Sequence, residues 1–260
     1  MDTLQQKSFK VLIIGDDCTD IYQYGYVDRI SPEAPVPILN VVEEVVKPGM
    51  AGNVRENLVA LGIDVNYLHG NTSKRTRVID KRSKQHIVRI DEDLWSEPLE
   101  IVTKLPPYDA IVISDYNKGT VDYDLIQDII SSSDVPVFID TKKPLLHKCE
   151  GAIVKINSIE WANIETSCSN TIVTYGAQGV FFEGNVYSAI PTDVVDVTGA
   201  GDTFLAALVY DYLHTKDLPS AIKFAIAAST ATIQHVGVHA PTLEEINEII
   251  DYRAQRIHRE

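Results

Sequence analysis

Cysteine is scarce. There are three in 260 residues, at positions 18, 149 and 168, with no paired spacing. Such scatter excludes a disulfide framework or a cysteine zinc site and suits a reducing compartment. Long hydrophobic runs are also missing. None approaches the roughly 20 residues that a membrane-spanning helix needs. The opening MDTLQQKSFK has no apolar signal-peptide core. A soluble, cytoplasmic protein is expected, with no membrane partner. Positive charge is in deficit, with 23 Lys and Arg against 37 Asp and Glu, a formal net charge of -14. Nucleic-acid binding needs a clustered basic face, so no such partner is expected. The one basic run, Lys74 to Lys84, carries Arg75, Arg77, Lys81 and Arg82. It reads either as a solvated strand face or as a contact for a small anion. No GxxxxGK[ST] occurs, which disfavours the P-loop reading. The first strand ends in Gly15-Asp16-Asp17, not GxGxxG, which leaves a nicotinamide dehydrogenase the weaker rival. No internal repeat or flexible linker divides the chain, and residues 1–260 read as one domain.

What is present alternates. Val11–Gly15, Ala110–Ser114, Val135–Asp140, Ala152–Asn157 and Thr171–Tyr175 are short Val- and Ile-rich runs, as expected of strands covered on both faces. Helical patterns separate them. Val54, Leu58 and Leu61 recur at i, i+4 and i+7, with Gly62 placed to end the helix. Further helices are expected over Asp124–Ile130, Ala200–Leu213, Pro219–His235 and Leu243–Ile257. The alternation predicts a mostly parallel α/β sheet with helices on both faces. Val36–Val46 and Thr76–Asp91 stand outside that rhythm; the second reads as two strands around the turn KRSK, so both suit a small separate sheet. Phe181–Ile190 reads as a hairpin turning at Glu183-Gly184-Asn185.

One stretch carries chemistry. DVTGAGDTF, residues 196–204, lies where a long helix begins. The first N–H groups of a helix lack intrahelical partners and, with the helix dipole, attract an anion. Gly199 and Gly201 let phosphate oxygens approach the main chain. Asp202 would repel a phosphate, so it suits a base that takes a proton from an attacking hydroxyl. Cradling the charge, aligning the nucleophile and removing its proton are the needs of phosphoryl transfer. The plainer alternative is a Gly-rich turn in which Asp202 only complements the helix dipole.

DVTGAGDTF resembles the C-terminal motif of the ribokinase-like (PfkB) carbohydrate kinases. RISPEAPVPIL (29–39), GDDCTDIYQYG (15–25), KPGMAGNVRENLVALG (47–62), SDYNKG (114–119), TRVI (76–79) and VRID (88–91) resemble the heptose 7-phosphate kinases of that family. The resemblance implies a doubly wound, mostly parallel α/β sheet with a small β lid near 35–47 and 76–91, which also serves as a homodimer interface. It implies ATP-dependent transfer, with Mg²⁺, to a sugar or sugar phosphate, in that branch D-glycero-D-manno-heptose 7-phosphate at its anomeric hydroxyl. Asp202 would be the catalytic base, with Gly199, Ala200 and Gly201 as the anion hole. Asn157 and Glu160, in NSIE, would act through magnesium and water near the nucleotide phosphates. Thr174, Gly176 and Gly179, in TYGAQG, would border the nucleotide. Asp20, Gly49 and Asn53 would hold sugar hydroxyls. Lys118 and Lys142 border the site, and with Arg77 and Arg89 they are candidates to grip a substrate phosphate.

Each position also has a plainer reading. Asn157 caps a turn, Asp20 bonds its own loop, Asn53 caps a helix, and Glu160 is a solvated helix-start carboxylate. His69, His86 and His235 have no metal-ligand spacing and read as structural. The family's glycine pair is Gly49-Met50 here, and segments between Gly70 and Thr76 and between Trp161 and Thr171 are short. A kinase for another sugar or sugar phosphate, or a catalytically silent sugar- or nucleotide-binding protein, stands beside the heptose reading.

Overall fold

A computed structural model describes residues 8–100 and 107–257. In chain order it contains β1 (Lys10–Ile30), β2 (Pro37–Met50), α1 (Ala51–Ala60), β3 (Asp64–Asp80), β4 (His86–Glu92), β5 (Ala110–Asp115), α2 (Tyr123–Ser132), β6 (Val137–Thr141), β7 (Ile153–Asn157), α3 (Ser158–Trp161), β8 (Thr171–Thr174), β9 (Val180–Phe182), β10 (Asn185–Tyr187), α4 (Ala200–Thr215), α5 (Leu218–Thr232) and α6 (Leu243–Ile257). The sheet order is β10-β9-β8-β7-β6-β5-β1-β3-β4, with β2 also paired to β1. The run from β3 through β1 to β8 is parallel. The outer pairs are antiparallel.

The strand runs are apolar throughout because both faces are covered. Val11 and Ile13 of β1, Ala110 and Val112 of β5, and Phe138 of β6 point into one core with α1, α4 and α5. Their neighbours Leu12, Ile14, Ile111, Ile113 and Ile139 point into the other, with α2. Strand alternation thus divides one continuous apolar run between two cores. Each fully buried aliphatic contributes about 1.5–3 kcal/mol. No helix among the described residues is long and apolar enough to cross a membrane.

Two expected strands prove much longer. β1 does not stop at Gly15, and β3 begins at Asp64 rather than Thr76. At Asp16 the partner of β1 changes on one side. Residues 11–15 pair with β5, and Asp17 onward pairs with β2, while β3 follows on the other side. The two segments expected to form a small separate sheet, the expected lid, instead belong to the main sheet as an outgrowth of its two central strands. The lid's polar sequence conceals this, because the strand carboxylates are satisfied from the side. Asp16 accepts backbone N–H bonds from Tyr116 and Lys118 at 2.8 and 3.0 Å. Asp17 accepts from the Tyr67 and Thr72 hydroxyls, each at 2.7 Å.

The helix ends follow local chemistry. Gly62, at φ 83°, ends α1 as expected, with Gly62 N–H bonded to Val59 C=O and Ile63 N–H to Leu58 C=O. The start of α1 is unusual. Its cap is Met50, at φ 51° and ψ -131°, a conformation suited to glycine, yet the Met50 side chain is buried. Such backbone costs about 1–3 kcal/mol, and burial of the thioether chain returns about the same. Met50→Gly is therefore expected to leave stability within about 1 kcal/mol of native, whereas Met50→Ala keeps the strain and costs about 2 kcal/mol or more. Urea unfolding midpoints check this ranking. Alanine proving the milder substitution would mean that position 50 is not strained.

Candidate active site

Several polar side chains converge where the carboxyl ends of β5, β6 and β7 meet the start of α4. The strand order turns beside this place, between β1 and β5, and open α/β sheets bind ligands near such a point. Gly199, at φ 81°, brings the chain into α4 in a left-handed conformation. A Cβ there would stand 2.8 Å from Asn53 Nδ2 and 3.0 Å from Val238 Cγ1, so the close approach requires glycine. The loop before it is tied down by Asp196, which accepts from Thr198 N–H at 2.9 Å and from Gly237 N–H at 2.8 Å. Burial raises the Asp196 carboxyl, but these bonds outweigh it and hold the pKa below the ordinary value.

Asp202 occupies the first turn of α4 and is buried. Asn53 Nδ2 donates to its Oδ2 at 2.8 Å, and the Tyr116 hydroxyl donates to its Oδ1 at 2.7 Å. Burial pushes the carboxyl up to about 6, against the lowering effect of those two donors. The Tyr116 phenol is itself pushed well above its ordinary value by burial and by the Asp202 charge. Asn53 does not cap α1, a place Met50 takes; it lies within the first turn and reaches across to α4.

A cavity of about 140 Å³ opens beside Asp202, lined by Tyr116, Asp140, Lys155 and Gly201 among others. Lys155 Nζ donates to Asp140 Oδ2 at 2.7 Å, and a Cβ on Gly201 would come within 3.0 Å of that nitrogen. Burial lowers the Lys155 pKa, but the facing Asp140 more than offsets this, and the net direction is upward. The ammonium therefore stays charged beside the helix start. Gly199 and Gly201 line the cavity. The Ala200 N–H is donated to Val197 C=O at 3.2 Å.

A second cavity, of about 310 Å³, shares Lys142, Asn157 and Glu160 with the first and continues to Pro144, Ile159 and Ile164. Asn157 does cap α3, as its plainer reading had it. Its Oδ1 accepts from the Ile159 and Glu160 N–H groups, and Glu160 Oε2 accepts from Asn157 N–H at 2.8 Å. This reciprocal box fixes Glu160 at the cavity wall. Burial, then the nearby Asp140 charge, raises its pKa. Lys142 holds its ammonium 4.6 Å from the Tyr116 ring centre. Beneath it, buried Lys143 pairs with Asp115 at 2.9 Å.

Other expected residues lie apart. Thr174 pairs with Asn157 across the β7–β8 ladder, one strand further out, and lines neither cavity. Gly176 (φ 55°) and Gly179 (φ 95°) form the following turn, where a Cβ on Gly179 would meet Tyr187 C=O. Asp20 and Gly49 meet at the base of the lid, where any side chain on Gly49 would collide with the Asp20 carboxylate. Arg77 is buried there, with NH1 donating to Asp20 Oδ1 at 2.6 Å and its guanidinium over Tyr22. Arg89 is held by Asp91, and Lys118 by Asp93. Three of the four candidate phosphate-gripping cations thus already face a carboxylate. Arg75 was noted only as part of a basic run. It pairs loosely, 3.9 Å from Asp20 and 3.8 Å from Asp91, and its buried Nε has no hydrogen-bond partner.

Tyr116, Asp140 and Lys155 were not singled out from the sequence. A signal existed for two of them. IVKIN and VFIDT each place one charged residue in a buried strand, and such a residue needs a partner. Tyr116 sits inside SDYNKG but gives no sign of reaching α4.

A doubly wound sheet, two central strands that grow into a lid, and a buried carboxylate beside a glycine-lined helix start define a ribokinase-like α/β protein. A family model described as "pfkB family carbohydrate kinase" matches residues 156–245. The chain is 33% identical to a "Bifunctional protein HldE" of a Nitratiruptor species, over 92% of this chain and 64% of that one. It is 30% identical to the protein of that name from Helicobacter acinonychis, over 95% and 68%. It thus spans about two thirds of these relatives' length. Among solved structures, a ribokinase from Thermotoga maritima superposes with a TM-score of 0.70 at 16% identity, covering 94% of this chain and 99% of that one. Arabidopsis thaliana ribokinase complexed with ribose and ATP gives 0.67 at 16% identity, with coverages of 94% and 99%. The chain belongs to the PfkB family of carbohydrate kinases.

Proposed function

We propose that this kinase transfers the γ-phosphoryl group of ATP to the anomeric hydroxyl of D-glycero-D-manno-heptose 7-phosphate. The observation that carries the phosphoryl-transfer part is Asp202, a buried, doubly hydrogen-bonded carboxylate at the start of α4 and next to Lys155. In this reading Asp202 takes the hydroxyl proton on one carboxylate oxygen as the O–P bond forms. Asn53 and Tyr116 keep that carboxylate in place. The Gly199 and Gly201 backbone and Lys155 face the charge that develops on the transferring group. The ADP end extends along the second cavity toward Thr174, Gly176 and Gly179. The donors at the cavity wall fit magnesium, because Asp140 and Glu160 offer the hard oxygens it takes, directly or through water. Glu160 and Asn157 would hold it through its water shell, and it would supply charge neutralisation at the phosphates. Binding of ATP to the structurally similar plant ribokinase supports the choice of nucleotide.

The heptose assignment rests on RISPEAPVPIL, SDYNKG and the lid motifs. Asp20, Gly49 and Asn53 would meet sugar hydroxyls. The lid groups Arg75, Arg77 and Arg89 with two carboxylates, Asp20 and Asp91. This arrangement leaves positive charge in excess for a second phosphate. Arg75 is the best placed to give it hydrogen bonds, and Arg77 keeps Asp20 in position. Valines and isoleucines on the lid, including Val46, Val88 and Ile90, are exposed, which supports pairing of two copies through it. Light scattering of the protein in solution tests that pairing.

The substrate test measures kcat/KM for heptose 7-phosphate, for the unphosphorylated heptose and for a panel of other sugar phosphates, in native protein and in Arg75→Ala. Heptose 7-phosphate should be preferred, and Arg75→Ala should shrink the preference at least tenfold. Equal use of the two heptoses would overturn the phosphate grip. Faster use of another sugar phosphate would replace the substrate.

A further inference from the structure

The connection between α5 and α6 brings together three metal-ligating side chains that phosphoryl transfer does not use. His235 Nε2 and His239 Nε2 lie 3.6 and 2.9 Å from one oxygen, Glu245 Oε1. The two imidazole rings stack, with centres 3.8 Å apart. All three ligand atoms fall within 4.8 Å of one another. The other Glu245 oxygen is already fixed, since Oε2 accepts from Thr242 N–H at 2.7 Å and from the Thr242 hydroxyl at 3.0 Å. The carboxylate is thus locked by a neighbour so that Oε1 faces both rings.

We propose that His235, His239 and Glu245 form a binding site for a late first-row divalent metal such as Zn²⁺. Two imidazoles with one carboxylate are a donor set for this class of ion, and not for magnesium or calcium. With metal–ligand bonds of about 2.1 Å, neighbouring donor atoms stand roughly 3–3.5 Å apart; the two His–Glu spacings are 2.9 and 3.6 Å, and a small rotation of the stacked rings brings both nitrogens onto one ion. The hydrogen bonds from Thr242 play the orienting role that outer-shell partners usually supply. One hydration position or more stays open, so the ion is held at the surface by three protein ligands.

The site is coupled to the anion hole through the backbone between its two histidines. Gly237 N–H binds Asp196, and Val238 packs over Gly199. Val238 C=O accepts from Lys47 Nζ at 2.6 Å, which links the segment to the lid strand β2. A metal bridging His235 and His239 closes this segment into a loop and fixes the wall of the phosphate site. The sequence alone gave little sign of this. His235 and His239 lie in an irregular connection, and Glu245 arrives from the next helix.

The test uses the untagged protein and needs no kinase substrate. Zn²⁺ is titrated in competition with a chromophoric chelator, and Co²⁺ binding is followed by its visible absorption. Native protein should bind one equivalent at this site and unfold at higher temperature with Zn²⁺ than without. His235→Ala, at an exposed position, and His239→Ala should each weaken Zn²⁺ binding at least tenfold and remove the thermal shift, with metal-free unfolding unchanged. Absence of Zn²⁺ binding in the native protein, or unchanged binding and thermal shift in both variants, would overturn the proposal.

Discussion

Asp202→Asn is expected to lower kcat about 10²–10⁴-fold while leaving nucleotide affinity within a few-fold of native. The side chain is buried, and its two oxygens are held by Asn53 and Tyr116, so the substitution preserves shape. The amide still accepts from Asn53, and the Tyr116 hydroxyl can turn to accept from the amide nitrogen. What disappears is the group that can take a proton. The same change should stabilise the fold at pH 8. Asp202 has its pKa raised to about 6 from 3.8, mainly by burial. A carboxyl with a raised folded-state pKa disfavours folding above that pKa, and over a shift of this size the effect is roughly 3 kcal/mol. Neutralising it should raise the unfolding midpoint by several degrees. Slower turnover combined with greater stability is the signature of a base kept under strain for function. Near-native kcat in the variant would remove Asp202 from the chemistry.

Lys155→Met should destabilise the fold. Buried Lys155 pairs with half-buried Asp140 at 2.7 Å, and removal of the ammonium leaves the Asp140 charge without its partner at the cavity wall. Breaking a fully buried pair costs about 3–5 kcal/mol, and the partial exposure of Asp140 places this change at or below the lower end of that range. Adding Asp140→Asn removes the stranded charge, and the double variant should recover most of that stability. Activity should not return with it. Loss of a positive donor facing the transferring group costs about 10²–10³-fold in rate, and the restored fold does not replace it. Urea unfolding and steady-state kinetics on the two single variants and the double variant separate the effects. Recovery of kcat together with stability would make the pair structural only.

The parallel sheet and the helices at its C-terminal half were legible in the sequence because apolar period and length decide them. Leu58 and Gly62, or Ala200 to Leu213, carry enough local pattern to fix an element without its neighbours. The lid was only half legible. Its strands β1 and β3 are rich in Asp, Thr and Arg, and they are strands because carboxylates such as Asp16 and Asp17 find donors across the sheet. No local period reports such partners. The site divides the same way. Glycines and Asp202 in DVTGAGDTF are contiguous and announce a helix start. Tyr116 lies 86 residues away from Asp202 in sequence, and the 2.7 Å bond between them is made where the turn after β5 meets the start of α4. Arg77 shows the converse, since a residue of a basic run suggests an anion contact until the fold sets Asp20 against it.

The pH dependence of kcat/KM tests the central claim most directly. Asp202 must be ionised to act as base, so activity is present above its folded pKa and is lost as pH falls through it. The profile should rise tenfold per pH step below an inflection near pH 6 and level off above it, and the residual rate of Asp202→Asn should lack that inflection. A native profile that stays flat from pH 5 to 8, or an inflection that persists unchanged in Asp202→Asn, would contradict the account.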